Sequence, residues 1–175
     1  ASVKAAVRIG GCSGFWGDSA DGLRQLVEEG DLDYLVGDYL SEVTMSLLAR
    51  ARMKDPDAGY TPDFVEAVAP MLASIMRQGI RIVVNAGGIN PHGCRAALEK
   101  VAHEAGLSLK VAVVEGDDLM PRLEQIRDTA PEEMFSGATF PAKPLCMNAY
   151  LGARHIPERL AAGAQVVLTG RCADS

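Results

Sequence analysis

Gly11, Gly14 and Gly17 stand three residues apart, frame Ser13, and lead into Asp18. Glycine permits positive φ and close approach of backbone to a ligand, and amides just ahead of a helix favour an anion. The segment therefore reads either as a cradle for a phosphate or carboxylate or as a tight structural turn. It is not the G-x-G-x-x-G dinucleotide fingerprint, and no G-K-[ST] follows it. Ser13 lacks the G-x-S-x-G elbow of a serine hydrolase. A second cradle is offered by Asn85, Gly87, Gly88 and Asn90. Asn85 could orient a substrate carbonyl, and Asn90 before Pro91 also reads as a helix N-cap. Asp38, Glu42 and Asp117 could supply a general base or a magnesium ligand; Glu42 reads equally as an exposed helix residue, and Asp118 as a cap. Arg171 could pair a substrate carboxylate, or pair with Asp174 or another loop carboxylate. The candidate set is thus Gly11, Ser13, Gly14, Gly17, Asn85, Gly88, Asn90, Arg171 and Asp174 for an anionic substrate, with Asp38, Glu42 and Asp117 for catalysis.

Two further residues, Cys94 and His92, are of types that could do chemistry. Cys94, in the first turn of a helix, reads as a reactive thiol or as a small packed residue. His92-x-Cys94 is a poor metal signature, and His103 and His155 fall far along the chain, so no metal site is expected.

What places these residues together is a run of elements. Ala5–Ile9, Tyr34–Val36, Ile80–Val84, Leu109–Val114 and Ala164–Thr169 are short Val- and Ile-rich runs with little alternation, as in strands buried on both faces of a parallel sheet. Between them lie helix-period segments: Asp18–Glu29, Leu40–Met53, a single helix from Thr61 to Gly79, one from Asn90 to Gly106, Leu119–Arg127, and a helix over Ala149–Ala162 interrupted near Pro157. Thr129–Met147 holds three prolines and little periodicity and reads as a long loop. The order predicts an α/β fold, a mostly parallel five-stranded sheet with helices on both faces, Rossmann-like and three-layered. In such sheets ligands bind beyond the carboxyl ends of the strands, and every candidate above follows a strand. One domain is expected, 1–175. The chain stops six residues after its last strand, so a truncated C-terminal end is expected, with exposed apolar surface near the fifth strand or a covering subunit.

The composition bounds the alternatives. The 175 residues are 48% hydrophobic and 23% charged, with 17 Lys and Arg against 23 Asp and Glu and a net charge of −6. That balance excludes disorder and argues against a nucleic-acid partner. No apolar run approaches a membrane span, and the four scattered cysteines read as free thiols of a cytoplasmic protein.

VRIGGCSGFWGD, GDLDYLVGDYLSEVTM, DPDAGY, IRIVVNAGGINP, MNAYLGA and VVLTGRCADS together resemble the N-terminal part of the acyclic terpene utilisation protein A-like family, from Val7 to Ser175. Members of that family are longer, and TGR-x-AD is internal in them. The family is named for bacterial gene clusters that degrade acyclic terpenes as CoA thioesters. The resemblance implies a cytoplasmic enzyme of branched acyl or terpenoid catabolism, with CoA entering as part of a small anionic substrate. Hydratase, lyase or other acyl-CoA chemistry fits a ring of loops bearing carboxylates and an arginine. A homo-oligomer is expected. A different class of function is also open: a non-catalytic scaffold partner of a biotin-dependent acyl-CoA carboxylase, which would expose an apolar helix face.

Overall fold

The computed structural model of the protein describes residues 6–173, so Asp174 and the start of the expected first strand at Ala5 lie outside the described residues. Five strands form one parallel sheet in the order β1-β2-β3-β5-β4. They are β1 Ile9–Ser13, β2 Tyr34–Gly37, β3 Arg81–Val84, β4 Val111–Val114 and β5 Val166–Thr169. The α-helices are α1 Ala20–Glu29, α2 Glu42–Lys54, α3 Pro62–Val68, α4 Leu72–Gln78, α5 Pro91–Glu104, α6 Leu123–Asp128 and α7 His155–Ala161.

The chain steps β1, β2, β3 in one direction, then passes over one position to β4. It returns to lay β5 in the gap. A right-handed crossover puts its helix on one face when the chain moves one way and on the other when it reverses. Accordingly α1, α3, α4 and α5 bury Leu23, Val27, Phe64, Val68, Ile75 and Leu98 against Leu35, Ile82, Val166 and Leu168 on one face. On the other, Ile156 and Leu160 of α7 cover Val83, Ala112 and Val167. All of β5 is buried, which is why its run is apolar without alternation. Ile9, on the edge strand β1, is instead 63% exposed.

Three expected elements are corrected, each for a local reason. The first strand runs over Ile9–Ser13 rather than Ala5–Ile9, so Gly11 and Ser13 lie in a strand and not in a loop. Gly10 is tolerated there because its missing side chain makes room: a Cβ would lie 2.6 Å from Leu32 Cδ1 and 3.0 Å from Leu26 Cδ2. The helix expected from Thr61 to Gly79 is broken by a 3-10 turn at Ala69–Met71, where Pro70 has no N–H to continue the ladder. Its apolar stripe nevertheless persists through Phe64, Val68, Leu72 and Ile75. The last helix begins at His155, not near Ala149, which places Pro157 in the first turn where its missing N–H costs nothing.

Because Leu168 sits in the central inserted strand with no solvent contact, Leu168→Ala should cost about 2–5 kcal/mol of unfolding free energy, read from denaturant midpoints. A loss below 1 kcal/mol would mean that β5 is not a core strand.

Candidate functional site

At the carboxyl edge the segments that follow the strands are bonded to one another. Asp38, after β2, accepts from Asn85 Nδ2 at 2.6 Å, and Asn85 Oδ1 accepts from the Tyr39 N–H at 2.7 Å. The two side chains thus lock the β2 loop to the β3 loop. Asp117, after β4, is 3% exposed. Its Oδ2 accepts from the Arg171 N–H at 2.8 Å and from Asn148 Nδ2 at 3.0 Å. Burial pushes this carboxyl above the ordinary range despite those donors.

Arg171 is held by its side chain as well. Its guanidinium donates to the Leu40 carbonyl, to Glu42 Oε1 at 3.0 Å and to the Tyr150 hydroxyl at 2.9 Å. It lies 4.6 Å from the Tyr150 ring centre. Tyr150 in turn donates to Glu42 Oε1 at 2.7 Å, and this hydroxyl is the main reason the Glu42 carboxyl is held below its usual range. Residues 149–151 strap across this edge: Ala149 N–H donates to the Asp117 carbonyl, and Leu151 exchanges bonds with Arg171 and Ala173. Arg171, Glu42, Asp117, Asp38 and Asn85 are thus joined to this edge by bonds among the protein's own groups.

The first glycine segment holds a carboxylate of the protein itself. Asp18 accepts from the Gly14 N–H at 3.0 Å and the Ser19 N–H at 2.7 Å, and these amides, Gly14 first, lower its pKa. Ser13 Oγ donates to the Phe15 carbonyl, and Gly17 takes φ +93° to close the turn. In the second segment Asn90 is fully employed: Oδ1 caps the Gly93 N–H, and Nδ2 donates to the carbonyls of Asp57 and Ala58. Gly88, at φ +54°, is pressed so close to α2 that a Cβ would lie 2.5 Å from Leu48 Cδ1 and 2.6 Å from the Gly59 carbonyl. Cys94 is buried, and burial pushes its thiol up to about 12, so it stays protonated and unreactive.

Two open volumes lie at this edge. One, of about 390 Å³, lies beside the first glycine segment and is bounded by Ser13, Asp18, Ser19, Arg24, Tyr39 and Glu66. The other lies between the loops that follow β3 and β4. It is a crevice of about 340 Å³ bounded by Arg52, Asn90, His92, Glu115, Asp117 and Asp118. His92 Nε2 and Glu115 Oε2 meet across it at 2.8 Å. Through Arg52, Ile89 and Asp118 it adjoins a second lobe of about 220 Å³ whose walls include Met53, Met120, Leu145 and Cys146. Of the expected residues only Gly88, Asn90 and Asp117 line the polar crevice. Arg52, Glu115, Asn148 and Tyr150 lie outside the expected set, and His92 reads from the sequence only as a poor metal ligand. Glu115 and His92 both follow strands, and their pairing becomes evident only once β5 is known to lie between β3 and β4. Among the described residues no group of three or more His, Cys, Asp or Glu could hold a metal ion, and no helix is long and apolar enough to cross a membrane.

An all-parallel five-stranded sheet with helices defines an α/β protein of the open-sheet kind. The sequence model of the acyclic terpene utilisation family protein AtuA matches residues 7–175, and the chain belongs to that family, as its motifs implied. The family name sets it in the context of acyclic terpene utilisation. No curated protein and no solved structure matches the chain.

Two outcomes test this geometry. Arg171→Ala removes donors from the Leu40 carbonyl and from Tyr150, and should cost about 1–3 kcal/mol. Arg171→Lys should not restore it, because one ammonium cannot span the three acceptors; Glu42→Ala, at an exposed position, should cost much less. Chemical denaturation of the three variants decides. The second concerns pH. A raised carboxyl pKa means that the folded chain holds the Asp117 proton more tightly than the unfolded chain. That contribution is full below about pH 4 and is lost as pH rises through the folded value. The stability of the wild type relative to Asp117→Asn should therefore decline from acid to neutral pH, and a flat difference would refute the assignment.

Proposed function

We propose that this chain forms the acyl-binding crevice of an enzyme of branched acyl or terpenoid catabolism, and that its substrate enters as a CoA thioester. The observation that supports the reading is the polar crevice beyond β5 lying beside the Met- and Leu-walled lobe, with Arg52, Ile89 and Asp118 common to both walls. Such a pair of volumes suits a molecule with a polar reactive end and an apolar chain. Methionine walls adapt to irregular, branched hydrocarbon. The crevice carries Glu115 and Asp118 against Arg52, so a free carboxylate would meet like charge. The neutral thioester carbonyl does not, which favours the ester over the free acid. Such substrates make the cytoplasm the working compartment.

A second reading, a scaffold partner of an acyl-CoA carboxylase, is favoured by one observation. Val43 and Leu47 stand one turn apart on the outer face of α2 and are 68% and 48% exposed, an apolar helix face open to a partner.

Calorimetric titration separates the two. The full chain should bind isovaleryl-CoA saturably, and isovalerate at least tenfold more weakly. Leu145→Asp, which puts a charge into the apolar lobe, should weaken thioester binding by tenfold or more. Absence of saturable binding by any short-chain acyl-CoA would overturn the enzyme reading in favour of the scaffold.

A further inference from the structure

His92 is in the first turn of α5 and Glu115 is the residue directly after β4, so the pair is set by the two loops that form the crevice walls. Each side chain is 61% exposed, and both line the polar volume. An ionised carboxylate can only accept, so with neutral imidazole the Nε2 proton is donated to Glu115 and the lone pair is left on Nδ1. Among the described residues Nδ1 has no hydrogen-bond partner. The other groups of the crevice are engaged: Asp117 with Arg171 and Asn148, Asp118 Oδ1 with the Met120 N–H, and Arg52 Nη1 with the Ile89 carbonyl. Among the described residues the crevice therefore presents, beside the exposed carboxylates of Glu115 and Asp118, an oriented nitrogen base: an imidazole backed by a carboxylate. This is the arrangement by which an enzyme fixes a base in position.

We propose that His92 is the general base of this site and that it takes a proton from the substrate carbon next to the thioester carbonyl, with Glu115 as its positioning residue. The proposal rests on the acyl-thioester reading given above. On this proposal the carbonyl and the adjoining carbon lie in the polar crevice, which His92 lines, and only the distal hydrocarbon lies in the lobe walled by Met53, Met120 and Leu145. That C–H is the one acidified by the thioester. In the step the C–H bond breaks, the proton moves to Nδ1, and the electron pair delocalises onto the carbonyl oxygen as an enolate. Glu115 stabilises the imidazolium that forms. Return of a proton from Nδ1 to the same carbon closes the cycle with no oxidant, reductant or second substrate.

The test is hydrogen–deuterium exchange at that carbon. The full chain is incubated with isovaleryl-CoA in D₂O, the label is followed by proton NMR and mass spectrometry, and calorimetry is run in parallel. The wild type should replace the protons of that carbon with deuterium faster than buffer alone. His92→Gln should slow exchange at saturating thioester by about 10²–10⁴-fold while leaving the dissociation constant and the thermal midpoint unchanged. Glu115→Gln should lower the saturated exchange rate without altering binding, which a merely structural tie would not do. Saturable binding without exchange, or exchange undiminished in His92→Gln, overturns the assignment of His92 while the acyl-binding reading stands. Absence of binding overturns both.

Discussion

The carboxylate of Asp117 lies against the backbone of Gly170, where a Cβ would come within 2.4 Å of Oδ1. Only glycine lets the β4 and β5 loops approach this closely, and the contact sets the rest of the edge. With Asp117 accepting its N–H, Arg171 is fixed in direction, and its guanidinium reaches Leu40, Glu42 and Tyr150. Asn148, on the same carboxylate, draws the 147–151 strap across the strand ends. Glu115, two residues before Asp117, is thereby brought to His92. A buried carboxylate is a costly anchor, and the three-way fit of acid, amide and glycine is what makes it tolerable.

Several of the chain's polar groups satisfy one another in a way that composition alone would not suggest. Asp18 fills the amides of the first turn, Asn85 and Asp38 tie two loops, and Asn90 caps a helix while holding the Asp57–Ala58 turn. The glycines here are mostly answers to crowding rather than openings for a ligand: Gly87 and Gly88 let the β3 loop touch β5 and α2. The crevice between the β3 and β4 loops is among the volumes that these ties leave open.

The parallel α/β architecture was legible because Ile80–Val84 and Ala164–Thr169 are apolar without alternation and helix punctuation falls between them. The first strand differs from its expected span because two of its five residues are glycines, which read as a loop, and the packing of Gly10 under Leu26 and Leu32 has no local signature. The gathering of Asp38, Asn85, Asp117 and Arg171 at one edge followed from topology. What they do there did not, since Arg171 meets Tyr150 and Glu42 from distant elements, and His92 meets Glu115 only across the inserted strand. Tyr150 lay in a stretch read as helix, Asn148 at the junction just before it, and Arg52 on a helix face without any motif.

The insertion of β5 between β3 and β4 also has a temporal side. When β4 emerges during synthesis, the place beside it in the sheet has no occupant. About fifty residues separate Val114 from Val166, on the order of 3–10 s of elongation at the usual ~5–20 residues per second. Through that interval β3 and β4 each present a bare edge of unpaired amides and carbonyls, the kind of surface that recruits foreign strands. The apolar residues that will face Val167 are uncovered for the same time. The nascent sheet is thus vulnerable at an interior gap as well as at its outer edges, and the crevice between the β3 and β4 loops takes its final walls only once β5 has arrived.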